Sequence, residues 1–219
     1  MRMTRVAIST LIIVLALGAF VLVACGGTSS SSPTQLPTST HAAVSSQGSP
    51  VSGEQPVPVI SATQASASDI PDTQVFVTYS SSPGKYQFDV PEGWARTTNS
   101  ADVYFVNNLN LLQVTLTNAA TAPTANSVRT DQVVTLEQTG RAVRDLKVQS
   151  VQLPIGPAVL ITYTSNSDPN SVTGKQVRLE NNRYLFFKNG KLATLTLSAP
   201  AGADNVDQWA RIARSFRWM

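Results

Sequence analysis

Between Gly26 and Thr73 the chain has no aromatic residue, lysine or arginine; from Gln74 onward it has all three. That break decides how much of the chain can fold. Half of the 48 residues in 26–73 are Ser, Thr or Pro, 12, 6 and 6 of each, and the only charges are Glu54, Asp69 and Asp72. Such a segment buries too little apolar surface to offset the entropy of ordering it, so it is expected to be a linker. As a coil it would span about 35–40 Å end to end. What remains, residues 74–219, has the size of one ordinary domain.

Upstream of the linker, Arg2 and Arg5 precede an uncharged apolar run from Val6 to Ala24, which ends in Leu22-Val23-Ala24-Cys25. The arrangement has the charged start, apolar middle and small-residue end of a signal peptide, with a cysteine just after the cleavage point. It resembles the bacterial lipobox. The resemblance implies that residues 1–24 are removed and that Cys25 carries a diacylglycerol thioether, whose two chains suffice for stable membrane anchoring. The alternative is an uncleaved transmembrane anchor, since 19 apolar residues can just span a bilayer. No basic residue follows until Lys85, and Arg2 and Arg5 stay on the cytoplasmic side under either reading. The folded part therefore faces out of the cytoplasm.

Counts of reactive residues narrow the function. The chain has one Cys and one His, Cys25 and His41, and both precede the domain. This excludes a disulfide framework, a zinc cluster and a Cys–His nucleophile pair. The formal charge of +3 falls away once Arg2 and Arg5 are set aside, leaving 14 basic and 13 acidic side chains, which does not describe a nucleic-acid binder. No Gly-x-Ser-x-Gly or Gly-rich phosphate loop occurs, and the ten acids of residues 74–219 fall mostly at turns and helix starts. Catalysis, a cofactor and a metal are not expected. The loop Asn166-Ser167-Asp168-Pro169-Asn170-Ser171 has oxygen ligands that would suit calcium, but it offers one carboxylate and reads as a turn.

Within 74–219 the pattern alternates with the period of strands. Val75, Val77 and Tyr79, then Tyr86, Phe88 and Val90, predict a hairpin about Pro83-Gly84. Leu112-Val114-Leu116, Val159-Ile161-Tyr163 and Ala193-Leu195-Leu197 predict three more strands, with Asn189-Gly190 as a two-residue hairpin turn. Asn181-Asn182 is a further turn candidate. Val133, Leu136, Gly140 and Val143 are spaced for a helix over about 127–143. Val206, Trp209, Ala213 and Phe216 predict another, with Asp204 as its N-cap and Arg211, Arg214 and Arg217 toward its end. Strands joined by short connections and covered by helices define an α+β domain on a central antiparallel sheet.

The run Tyr86-Gln87-Phe88-Asp89-Val90-Pro91-Glu92-Gly93-Trp94 resembles the opening strand and Pro-x-Gly-Trp of PsbP-like domains. Gly156-Pro157-Ala158 is similar to the glycine before that family's central strand, and Trp209, Ile212 and Ser215-Phe216-Arg217 are similar to its closing helix. The resemblance implies a sheet flanked by helices, an α/β/α sandwich. It also implies a habit of docking onto partners, which extrinsic photosystem subunits, a nuclear-transport cofactor and bacterial lipoproteins of this kind share without sharing an activity.

The sequence thus points to a lipid-anchored, extracytoplasmic, non-catalytic docking protein, with membrane contact through Cys25 and a protein partner. A small-ligand or carbohydrate-binding module is the alternative, and an envelope hydrolase a more distant one. Two basic clusters, Arg141/Arg144/Lys147 and Arg211/Arg214/Arg217, read as solvated faces or as a patch for an acidic partner or anionic head groups. Trp94 and Trp209 read as core residues, and Trp218 is left without a role.

Overall fold

The computed structural model describes residues 53–219, so Cys25, the signal segment 1–24 and His41 lie outside the described residues. The elements in chain order are α1 (Ala62–Ser66), β1 (Phe76–Ser81), β2 (Tyr86–Pro91), β3 (Ala95–Asn99), β4 (Asp102–Asn107) and β5 (Asn110–Asn118). There follow α2 (Ala125–Thr130), α3 (Gln132–Thr139), β6 (Arg144–Leu153), β7 (Gly156–Asn166), β8 (Arg178–Lys188) and β9 (Lys191–Pro200). α4 (Val206–Ser215) and β10 (Arg217–Trp218) complete the set. Seven strands form an antiparallel sheet in the order β3-β4-β5-β9-β8-β7-β6, and β1-β2-β10 form a smaller one. The fold is α+β on a large antiparallel sheet, as the alternating pattern predicts.

One face of the large sheet carries Val103, Phe105, Leu112, Val114, Leu160, Tyr184, Phe186, Ala193, Leu195 and Leu197. The small sheet and α4 cover it with Tyr86, Phe88, Trp209, Ile212 and Phe216. Phe216 stacks on Phe186 with ring centroids 4.2 Å apart and planes 4° from parallel. The opposite face carries Val159, Ile161, Tyr163, Leu185 and Leu192, which pack under Val128 of α2 and Leu136 of α3. Helices therefore lie on both faces.

Several expectations need correction. The linker does not run to Thr73. Residues 54–72 fold across one end of the large sheet as a strap, in which Ala65 and Ile70 are buried, Ile70 at 3% exposure. What holds it is supplied from far along the chain. Asn166 accepts from the Val57 N–H and donates to the Gln55 carbonyl; Asn205 accepts from the Ile70 N–H and donates to the Ser68 carbonyl; Asn110 donates to Ser68 as well. No local composition rule sees such partners.

Asn181-Asn182 is not a turn. β8 runs straight through it, and the buried Asn181 donates to Ser165 Oγ on β7 and accepts from Ser198 Oγ on β9, so its polar group is met inside the sheet. The helix expected over 127–143 is two short ones broken at Asp131 and ended at Gly140. Thr130, Thr135 and Thr139 bond back to carbonyls one turn earlier, which competes with a regular helix. At Gly140 a Cβ would lie 2.6 Å from the Leu136 carbonyl oxygen, so the chain can leave the helix there only without a side chain.

In α4 the N-cap is Asn205 rather than Asp204, and its amide serves the strap instead of the helix. Val206 is 73% exposed, so the buried stripe is Trp209, Ile212 and Ala213, followed by Phe216 beyond the helix. Val75, just before β1, and Val77 within it are 58% and 42% exposed, whereas Tyr79 joins the aromatic cluster against Phe105. The Asn189-Gly190 hairpin forms as expected, with both residues at positive φ (48° and 77°), the pattern of a type I′ turn.

Candidate docking surface

The large sheet has two ends. One carries the strap; the other carries the Asn189-Gly190 turn, the Pro83-Gly84 turn and the C-terminal residues. α4 stops at Ser215, where Phe216 turns extended (φ −61°, ψ 132°) and drops its ring into the core. Arg217 and Trp218 then pair with Gln87 and Tyr86 of β2. Trp218 stands edge-on to Phe216, ring centroids 5.5 Å apart, and the Met219 N–H donates to the Lys85 carbonyl at 2.8 Å. The half-buried indole is thereby fixed by core packing and a short strand.

Three clefts meet at Trp218. The first, about 360 Å³, is walled by Pro123, Ile155, Pro157, Val159 and Phe187. A second, about 400 Å³, shares Ile155 and Phe187 with the first and adds Lys188, Arg214 and Arg217. The last, about 410 Å³, shares Lys188 with the second and adds Lys85, Lys191 and Leu116. The clefts thus run in sequence from an end without charged side chains to one lined by three lysines, with Trp218 common to all. Five exposed cations line them and no Asp or Glu side chain does. The nearby Asp102 spends its carboxylate on the Leu116 N–H. Lys191 Nζ donates to Asn118 Oδ1, and none of the five forms an ion pair among the described residues.

The strap end is built in the opposite way. Glu54 accepts from Asn166 Nδ2 at 2.8 Å and Gln176 Nε2 at 2.7 Å, and pairs with Arg141 Nη2 at 3.0 Å. Burial alone would raise its pKa; the two amides and the Arg141 guanidinium outweigh that and hold the carboxyl below its ordinary value. Arg178, buried beside it, donates to the Ala142 carbonyl, Asn166 Oδ1 and Thr164 Oγ1. Burial lowers its pKa against the opposing pull of Asp145. Asp69 and Asp72 are likewise engaged, with the Asp204 N–H and Gln208 Nε2.

These contacts sort the candidates drawn from sequence. Arg141 of the first basic cluster is a strap anchor. The second cluster divides, Arg214 and Arg217 going to the clefts while Arg211 lies over the Phe76 ring, 4.1 Å from its centroid. In the loop read as a calcium candidate, Asn166 Oδ1 is taken by Val57 and Arg178, and Asn170 Oδ1 by the Val172 and Thr173 N–H groups. Among the described residues no three Cys, His, Asp or Glu side chains converge as metal ligands would. Trp209 is buried and Trp94 packs partly against the core. Burial raises the Tyr86 and Tyr184 phenols above their ordinary value. Sequence reasoning missed Lys85, Ile155, Lys188 and Lys191 as members of a common surface. The available signal was that both hairpin turns carry lysines, at Pro83-Gly84-Lys85 and Lys188-Asn189-Gly190-Lys191.

Neither protein-family models nor curated proteins match the chain. Among solved structures it is similar to cyanobacterial PsbP (CyanoP) from Synechocystis sp. PCC 6803, with 19% identity and a TM-score of 0.49 over 69% of this chain and 98% of that one. It is also similar to the Saccharomyces cerevisiae Ran-binding protein Mog1p, at 10% identity and a TM-score of 0.46 over 67% and 96% of the two chains. A Bacteroides thetaiotaomicron VPI-5482 protein gives 10% identity and a TM-score of 0.44, over 65% of this chain and 48% of that one. The likeness is one of fold alone.

Proposed function

We propose that this chain is a lipid-anchored, extracytoplasmic, non-catalytic protein of the bacterial envelope, which docks onto an anionic partner through the surface around Trp218. The observation that carries the reading is five cations about one fixed indole with no Asp or Glu side chain among them. Like charges gathered on a surface repel one another, weakly in water and salt, and a partner of opposite sign meets all of them at once. The anchoring half of the reading is supported by the Leu22-Val23-Ala24-Cys25 pattern. The strap joins the domain at Asn166, at the far end of β7 from Gly156, so the clefts face away from where the N-terminal chain arrives.

The test is site-specific photo-cross-linking in the bacterium that makes the protein. A photoreactive residue at Arg217 should give a discrete adduct that Lys188→Glu abolishes, while one at the exposed Val172 should give none. Equal labelling at both positions, or none at Arg217, overturns the docking surface. Mass spectrometry of the mature N terminus reads the anchor separately. A lipid-modified Cys25 is expected; an unmodified Cys25 or a chain beginning at Met1 would exclude it.

A further inference from the structure

We propose that the occupant of the Trp218 clefts is an extended acidic peptide segment of the partner, with one apolar side chain seated in the first cleft and carboxylates following it along the other two. This rests on the docking reading and names the chemistry of what docks. The order of the clefts is the argument. The first has an apolar wall in which Ile155, Pro157, Val159 and Phe187 surround the indole and no charged side chain enters. The second adds Arg214, Arg217 and Lys188, and the third Lys188, Lys85 and Lys191. Because neighbouring clefts share residues, a ligand crossing all three meets apolar surface and then two successive groups of cations.

Other anions match only a fraction of this. A polyphosphate would satisfy the cations but bring nothing to the apolar cleft. An anionic bilayer presents a plane of head groups, best met by side chains that project, whereas Trp218 is half-buried and packed edge-on against Phe216. β7 is 11 residues long, so the point where the strap joins and the clefts lie about 35 Å apart at strand rise. That separation also suits a partner approaching from the side opposite the tether. A peptide alone supplies an apolar anchor and carboxylates on one flexible backbone, and guanidinium groups such as those of Arg214 and Arg217 bind carboxylates as two-pronged forks.

The experiment uses the full-length chain in detergent and fluorescence anisotropy with labelled probes: a short Asp/Glu peptide beginning with Phe, the same peptide with Phe replaced by Ser, polyphosphate, and glycerophosphoglycerol, the soluble head group of phosphatidylglycerol. The Phe-bearing peptide should bind tightest and weaken with added salt, and loss of its Phe should weaken binding about tenfold or more. Ile155→Asp should erase the difference between the two peptides. Lys188→Glu, or Lys191→Glu should the first variant prove unstable, should weaken both at least about tenfold with an unchanged melting temperature. Equal affinity for the two peptides, tighter binding of polyphosphate or of the head group, or binding to none of the probes overturns the proposal. If the Arg217 adduct persists in cells while no peptide binds, the peptide reading falls and the docking surface stands.

Discussion

The two ends of the large sheet treat charge in opposite ways. At the strap end each charged group named above has a partner: Glu54 has Arg141 and two amides, and Arg178 has three acceptors. At the Trp218 end five cations gather with no Asp or Glu side chain among them. The first arrangement closes a structure, since a buried charge left unmet would cost several kcal/mol. The second does nothing for the isolated fold, because exposed like charges add no stability. The contrast separates residues that hold the domain together from residues free to address something else.

Substitutions can break that contrast. Phe216 links the two roles, as it is 1% exposed, stacks on Phe186 and sets Trp218 in place. Phe216→Ala should cost about 3–5 kcal/mol. For a domain of this size that lowers the melting temperature by roughly 6–20 °C. A fall of only a degree or two would show that the stack is dispensable. Next in size is Ile70→Ala in the strap, with an expected loss of about 2–4 kcal/mol. Removing everything before Gln74 should cost at least as much, whereas a chain beginning at Gly53 should melt like the parent. If the shorter chain keeps full stability in thermal unfolding, the strap is decoration.

Smaller effects sharpen the picture. Glu54→Gln keeps a neutral acceptor but loses the ion pair, so a loss of about 1 kcal/mol is expected at neutral pH. The carboxyl of Glu54 is depressed in the folded state, so its contribution is full above its unfolded pKa and disappears as pH falls through the folded value. The gap between wild type and Glu54→Gln should therefore close in acid, and a gap that widens below pH 4 would contradict the pairing. Lys188→Gln and Lys191→Gln should move stability by no more than about 0.5 kcal/mol, and upward if at all, because each relieves repulsion among the five cations. A clear destabilisation would mean that these lysines serve the fold.

What could be read from sequence was what local chemistry dictates. Asn189-Gly190 specified its turn through two residues at ease with positive φ, and Tyr86-Phe88-Val90 specified a buried face through period-two alternation. The strap was illegible because its stabilising partners, Asn110, Asn166 and Asn205, lie far away in the chain and carry no hydrophobic signal. Asn181 misled for a related reason: an asparagine that usually marks a turn is satisfied here inside the sheet by Ser165 and Ser198. Strands β3 and β6 went unnoticed because their residues are almost wholly exposed or half-exposed, which leaves no strong alternation to detect. At the candidate surface Arg214, Arg217 and Trp218 were visible as residues, but only the folding of two lysine-bearing turns toward them makes a surface.

The strap also sets how the domain meets a mechanical load. Tension arriving along the N-terminal chain enters at Glu54, where the Asn166 and Arg141 contacts lie first in line. Those contacts would break in succession, like a zip pulled from its end, before the force reaches the strand ladder that begins at β1. Releasing residues 54–72 would free a segment with an extended reach of about 60 Å, less the distance the strap already spans, while the ten strands stay paired. A domain tethered to a moving surface would thus carry its own shock absorber, with the strap giving way before the strands do.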